Sequence, residues 1–218
     1  MKSQLKTLRR TLVLALATAA LAAPSAQAIE FHTGEAHSTL QGSMISKPVL
    51  TITDTFNEMQ FSTSLNCSQS SLSGTTSAST QTEWLLTPSF GLCQDVVGNP
   101  VDIVSNCVYS VHATAGSGPY TGDTDLCPGG GSLETRITTS SGTCTITLAS
   151  QSGLSTVDFV NEAGKVKVQW TISKLKVTTS GGLLICGVFN GEHTGHYSGT
   201  YLIEAKTTAG TTTTAKVE

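Results

Sequence analysis

The sequence predicts an all-β protein, an antiparallel β-sandwich of the jelly-roll or immunoglobulin-like type held together by disulfide bonds. Apolar and polar residues alternate with a period of two in many short segments, and turn residues separate these segments. Charged residues make up only 12% of the chain, which is too few for helices with charged outer faces. The six cysteines are an even number, as expected for three disulfides in an exported protein. A partly closed barrel would satisfy the same pattern.

Residues 1–28 have the features of a secretory signal peptide. A basic start precedes the apolar run TLVLALATAALAA, and Ala26-Gln27-Ala28 is a small-x-small cleavage site. The apolar run is shorter than the roughly 20 residues that a membrane span needs. We therefore expect a mature chain that begins at Ile29, is secreted to the periplasm or the extracellular space, and does not insert into the membrane after cleavage.

Removal of the signal peptide makes the chain more acidic. Four of the 12 Lys and Arg residues lie in it, so 8 remain against 15 Asp and Glu and the net charge becomes −7. Nucleic acids and anionic membranes both attract basic surfaces. The charge therefore predicts no nucleic-acid partner.

The clearest predicted hairpin spans residues 133–148. Its arms, 133–138 and 144–148, enclose a Ser-Ser-Gly turn. In the second arm Cys144, Ile146 and Leu148 share one face, which is typical of a half-buried strand.

The next strand, over residues 165–177, changes register along its length. Its apolar residues occupy even positions up to Ile172 and odd positions from Leu175 onward. Because side chains alternate strictly along a strand, we expect a bulge or bend at Ser173-Lys174.

Three segments complete the predicted domain organisation. Residues 67–81 are small and polar and predict a long loop or a weak edge strand. The apolar run at 183–189 predicts a central strand covered on both faces. The threonine-rich residues 207–218 predict a disordered tail, which leaves residues 29–206 as a single β-rich domain.

One disulfide can be argued from local spacing, a second from a flexible segment, and the third remains by elimination. A turn at Gly98-Asn99-Pro100 would place Cys93 opposite Cys107. The flexible sequence CPGGG would let Cys127 reach Cys144. Cys67 would then pair with Cys186 as a long-range link.

Four histidines form the first candidate metal site. Two lie in FHTGEAH (31–37) and two in FNGEHTGH (189–196). If these segments were neighbours, His32, His37, His193 and His196 would offer ligands for zinc or copper. His193 and His196 would diverge on an extended strand, however, and the alternative is that all four are ordinary polar residues of strands and loops.

Asp123 and Asp125 form the second candidate site. Alternating carboxylates in a glycine-rich loop suit Ca²⁺, and paired carboxylates are also the catalytic groups of glycosidases. The alternative is a solvated acidic loop. Neither candidate requires an organic cofactor, and no cofactor is expected.

The sequence contains no assembled catalytic motif, such as a nucleophile elbow or a phosphate-binding loop. We therefore expect a secreted, non-enzymatic binding or structural module whose partner is a cell-surface polymer or a protein. The alternatives are a secreted hydrolase that acts on carbohydrate, and a metal-binding protein that uses the histidines.

Overall fold

The computed structural model of the chain describes residues 28–56 and 58–218, and it is all-β. The predicted signal peptide lies outside these residues, apart from Ala28. The first strands are β1 (Phe31–Thr33), β2 (Thr39–Phe56), β3 (Met59–Thr75), β4 (Thr80–Gln81), β5 (Glu83–Asp95), β6 (Pro100–Ser105), β7 (Tyr109–Gly116) and β8 (Tyr120–Leu126). The remaining elements are β9 (Ser132–Thr139), β10 (Gly142–Ala149), β11 (Gln151–Glu162), β12 (Lys165–Ser180), the short helix α1 (Leu183–Cys186), β13 (Gly191–Lys206), β14 (Thr212–Thr213) and β15 (Ala215–Val217).

The main sheet closes on itself as an antiparallel barrel, so the expected two-sheet sandwich is not what forms. Eight strands complete the ring, in the order β13-β2-β3-β5-β6-β9-β10-β12 and back to β13. Closure removes the exposed edges that an open sheet would leave for aggregation. Within the described residues no helix has the length and apolar character needed to span a lipid bilayer.

Two long strands allow the wall of the barrel to divide. The N-terminal part of β12 pairs with β11 and its last residues pair with β10. Likewise β5 pairs first with β7 and then with β6. One wall is therefore five continuous long strands, β5-β3-β2-β13-β12, and the opposite wall consists of two three-stranded pieces, β7-β8-β11 and β6-β9-β10.

The interior is filled by large side chains from both walls. Trp84, Trp170, Tyr201 and Phe159 are each at most 1% exposed. A small second sheet, β15-β1-β4, adds Phe31, whose ring stacks on Trp84 at 4.5 Å between centroids. The protein thus has one contiguous apolar core, which the small sheet completes.

The predicted strand patterns at 133–148 and 165–177 are confirmed. Leu133 pairs with Leu148, and Cys144, Ile146 and Leu148 are buried. The pairing of β12 with β13 shifts register between Ile172 and Leu175, where the sequence pattern slips.

The predicted central strand at 183–189 is wrong, because this segment forms α1 followed by a loop. Glycines bound it: Gly181, Gly182 and Gly187 have φ of +130°, +82° and +73°. Such left-handed backbone ends an extended strand. The apolar run alone could not distinguish a strand from a short buried helix.

The polar segments 67–81 and 207–218 are more ordered than predicted. Most of the first belongs to β3, which is bonded to β2 on one edge and β5 on the other. The second contains β14 and β15, and Ala215 and Val217 are fully buried. Both segments carry few apolar residues, so their order comes from pairing with neighbouring strands, which a local reading of composition misses.

All three predicted disulfides, Cys93–Cys107, Cys127–Cys144 and Cys67–Cys186, are wrong. The bonded pairs are Cys67–Cys93, Cys107–Cys127 and Cys144–Cys186. The turn after β5 lies earlier in the chain than expected, between Asp95 and Pro100, so Cys93 lies opposite Val101 of β6 and opposite Cys67 of β3. Cys107 and Cys127 flank the paired ends of β7 and β8, where Tyr109 lies opposite Leu126.

Candidate functional site

The four candidate histidines do not converge. His32 lies in β1, where its Nδ1 is 3.1 Å from Thr80 Oγ1 and its Nε2 is 3.6 Å from a Glu218 carboxylate oxygen. His37 is exposed in a turn with φ of +58°. Among the described residues no group of three or more His, Cys, Asp or Glu side chains is placed to hold a metal ion.

His193 and His196 point to opposite faces of β13, as the extended pattern indicates. The side chain of His193 is only 5% exposed, and His196 is exposed. His193 Nε2 is 2.8 Å from both the Phe189 carbonyl oxygen and Thr179 Oγ1, and its Nδ1 is 3.7 Å from Asp54. These contacts fix the loop after α1 against β12.

The two candidate aspartates lie on the same face of β8 but have different partners. Asp125 accepts a hydrogen bond from the backbone N–H of Gly153 at 2.6 Å. Asp123 instead contacts His112 across the β7–β8 hairpin, with 3.0 Å between Asp123 Oδ1 and His112 Nδ1. The pair therefore does not enclose a common ion in this structure.

Asp123 belongs to a cluster that the sequence analysis missed. We call it the His112 cluster, and it comprises Glu83 of β5, Ser110 and His112 of β7, and Asp123 of β8. His112 Nε2 is 3.1 Å from both a Glu83 carboxylate oxygen and Ser110 Oγ. Cross-strand pairing explains the convergence, because Glu83 and Asp123 lie directly opposite His112 on its two neighbouring strands.

The Ser110–His112–Asp123 distances match those of a catalytic triad, but the serine is shielded. Ser110 is 1% exposed, and its hydroxyl donates to Glu83 at 2.6 Å. A nucleophile must reach substrate and transfer its proton to the histidine. Here the hydroxyl of Ser110 donates its proton in a hydrogen bond to the Glu83 carboxylate and not to His112. This hydrogen bond is the largest cause of the lowered pKa of Glu83. The arrangement acts as a hydrogen-bonded link between three strands.

The only sequence signal for this cluster was the i, i+2 spacing of Ser110 and His112, which puts both on one strand face. Glu83 and Asp123 could not be added without the register of two strand pairs. The same limit means that a Ser–His–Asp grouping assembled from separate strands has no signature in the sequence.

The interior offers little space for a ligand. A cavity of about 40 Å³ lies among core residues including Leu50, Leu65 and Ile103. A water molecule occupies about 30 Å³ in the liquid, whereas small-molecule sites usually enclose several hundred Å³. This cavity is therefore too small for a ligand much larger than water.

A groove of about 600 Å³ crosses the outer face of β2, β3 and β13, and its polar side chains lie beside Met44 and Leu72. We call it the polar groove and define it by Gln41, Ser43, Gln69, Ser71, Ser73 and Glu204. It covers the paired residues 41–43 of β2 and 71–73 of β3 and extends over residues 68–70, where the β2–β3 pairing is interrupted between the Ser43–Ser71 and Val49–Asn66 pairs. The sequence analysis missed it because the serine-rich segment was interpreted as a loop or weak edge.

A second groove of about 680 Å³ is lined by residues that include Ile29, His32, Tyr120 and Glu218. It borders Ala28, the first residue that the structure describes.

Comparison of the chain with protein-family models, with curated proteins and with solved structures finds no match.

Proposed function

We propose that this chain is an exported binding module without catalytic activity, and that it contacts its partner through the polar groove. The three disulfides support export, because such bonds persist in oxidising compartments. The shielded hydroxyl of Ser110 supports the absence of catalysis.

The observation that carries the proposal is the recess of about 600 Å³ on the long-stranded wall. The groove volume falls within the range of about 300–1,000 Å³ that is typical of ligand sites. Its side chains project from three strands that are paired along most of their length, so the recess is largely formed before any partner arrives.

A blocking substitution tests this proposal. Fluorescently labelled mature chain is incubated with whole bacterial and yeast cells, and the bound fraction is measured. Ser71→Trp places an indole in the groove, whereas Ser173→Trp adds the same bulk at an exposed position of β12.

We expect retention of the unsubstituted chain on at least one cell type, a reduction of about tenfold or more for Ser71→Trp, and no change for Ser173→Trp. The proposal fails if no cell type retains the chain or if both variants bind equally well.

A secreted hydrolase acting on carbohydrate is the second candidate, and one observation favours it. Glu83 and Asp123 are carboxylates from different strands that approach the same imidazole. Glycosidases use two carboxylates with the scissile bond between them. In this chain the ring of His112 occupies that position, which is why binding is the preferred function. Release of p-nitrophenol from p-nitrophenyl glycosides, lost in Asp123→Asn and Glu83→Gln, would reverse this preference.

A further inference from the structure

We infer that the polar groove binds a neutral carbohydrate chain. The inference rests on the proposed function and adds the chemical class of the ligand.

The first observation is the supply of uncommitted hydrogen-bonding side chains. In the described part of the chain, the side chains of Gln69, Ser71 and Ser73 make no hydrogen bond to another protein group. Each hydroxyl can donate and accept, and the amide of Gln69 offers both functions in a fixed geometry. Sugar hydroxyls also donate and accept, so this set of groups matches a polyhydroxylated ligand.

The second observation is that the charges of the groove are already paired. Glu204 is 2.9 Å from Lys165 Nζ and 3.5 Å from Lys206 Nζ, and Lys206 also donates to Gln41 at 2.7 Å. The hydrogen bond from Lys165 is the main cause of a lowered Glu204 pKa, so this carboxylate stays ionised and matched. A charged ligand would have to compete with these partners, whereas a neutral ligand would not.

The third observation is the interruption of the β2–β3 pairing. Residues 44–48 of β2 and 67–70 of β3 are not paired with each other. Both strands keep their other neighbours: Ser46 pairs with Thr200 of β13, and Gln69 pairs with Gly91 of β5. The interruption therefore leaves a gap between the two strands without loosening the wall, and Met44 of β2 and residues 68–70 of β3 line the recess beside it.

The fourth observation is the rigid support beneath the groove. Ser70 Oγ lies 2.7 Å from Tyr201 Oη and 3.1 Å from the Ser89 carbonyl oxygen. A carbonyl only accepts, so Ser70 donates to Ser89 and receives a hydrogen bond from Tyr201. Burial raises the pKa of Tyr201, which keeps the phenol protonated as the donor. The adjacent Cys67–Cys93 disulfide ties β3 to β5. The backbone beneath the groove is therefore ordered before a ligand binds, which lowers the entropic cost of binding.

Titration calorimetry with the oxidised mature chain tests the inference. The probes are cellohexaose, xylohexaose and chitohexaose as neutral chains, with polygalacturonate and chitosan as anionic and cationic contrasts. The groove variant is Gln69→Ala with Ser71→Ala. The matched control is Gln169→Ala with Ser173→Ala, which removes the same groups from exposed positions of β12.

We expect at least one neutral chain to bind, with an affinity that does not change between about 50 mM and about 500 mM NaCl, because no charges are being paired. Loss of two hydrogen-bonding side chains should weaken binding by about tenfold or more in the groove variant, and the control should bind like the unsubstituted chain.

The inference is overturned if no neutral chain binds, if only a charged polymer binds in a salt-dependent manner, or if the groove variant retains full affinity. If groove-dependent retention on cells is abolished by protease treatment of those cells, the partner is a protein. In that case the proposed function stands and the carbohydrate inference fails. If Ser71→Trp leaves retention on cells unchanged, the proposed function itself fails.

Discussion

Ser110 lies between Glu83 and His112, and its environment determines what the His112 cluster can do. The hydroxyl donates to a carboxylate that is about half exposed, with a side-chain exposure of 47%. A hydrogen bond to a charged group contributes about 1.5–3 kcal/mol when buried, and partial exposure reduces this. The bond therefore stabilises the seam between β5 and β7 by about 1 kcal/mol.

Ser110→Ala should lower the free energy of unfolding by about 1 kcal/mol at neutral pH. The hydrogen bond lowers the folded pKa of Glu83, so its stabilising effect is complete above the unfolded pKa of a glutamate, about 4.3, and is lost as the pH falls through the folded pKa. Urea unfolding of both proteins at neutral pH and at about pH 3 measures this difference. A Ser155→Ala control removes an exposed hydroxyl from β11 and should have no effect. An equal loss at both pH values would show that Glu83 is not the partner.

Three of the four tyrosines should resist ionisation in the folded protein. Burial raises the pKa of Tyr109, Tyr197 and Tyr201. A raised folded pKa stabilises the protein below the unfolded value of about 10 and destabilises it as the pH rises further. Absorbance at about 295 nm should therefore show at most one ionised tyrosine at pH 11 before unfolding. Reversible ionisation of two or more in the native state would contradict the buried positions.

At the scale of elements, β15 completes the core although the sequence around it looks disordered. The side-chain amide of Asn161 donates to the Val217 carbonyl oxygen at 2.8 Å and accepts from the Val217 N–H at 2.9 Å. On its other edge β15 pairs with β1. The C-terminal strand is thereby held on both sides.

Val217→Ala should destabilise the protein by about 2 kcal/mol, because it removes two methyl groups from a fully buried position. Val97→Ala makes the same chemical change at a position that is 77% exposed, and it should cost less than about 0.5 kcal/mol. Thermal and denaturant unfolding of the two variants measure the difference. Equal stability would mean that residues 215–217 do not pack on the core.

Sequence reasoning succeeded where one strand carries its own signal. The slip between Ile172 and Leu175 was readable because side chains alternate along β12. It failed where a partner strand decides the outcome: Cys67 meets Cys93 through the β3–β5 register, and β15 is ordered by β1 and Asn161. The His112 cluster and the polar groove belong to this second group, because both are assembled from three strands.

Closure of the sheet and the three disulfides both contribute to the stability of the whole molecule. In the chain-entropy model each disulfide stabilises the folded protein by about 3–4 kcal/mol. The largest of the three loops, of 42 residues, is closed by Cys144–Cys186. The interior is occupied by side chains from both walls, so it contributes stability. In the proposed function, recognition is separate from this stability and uses the polar groove on the outer face of the five-stranded wall.

Backbone NMR of the oxidised chain during titration with a neutral oligosaccharide tests this division most directly. Chemical shifts are expected to change at residues 41–44 and 68–73, while core residues such as Trp170 and the His112 cluster keep theirs. Changes centred on the core or on the His112 cluster, or no changes with any neutral oligosaccharide, would contradict it.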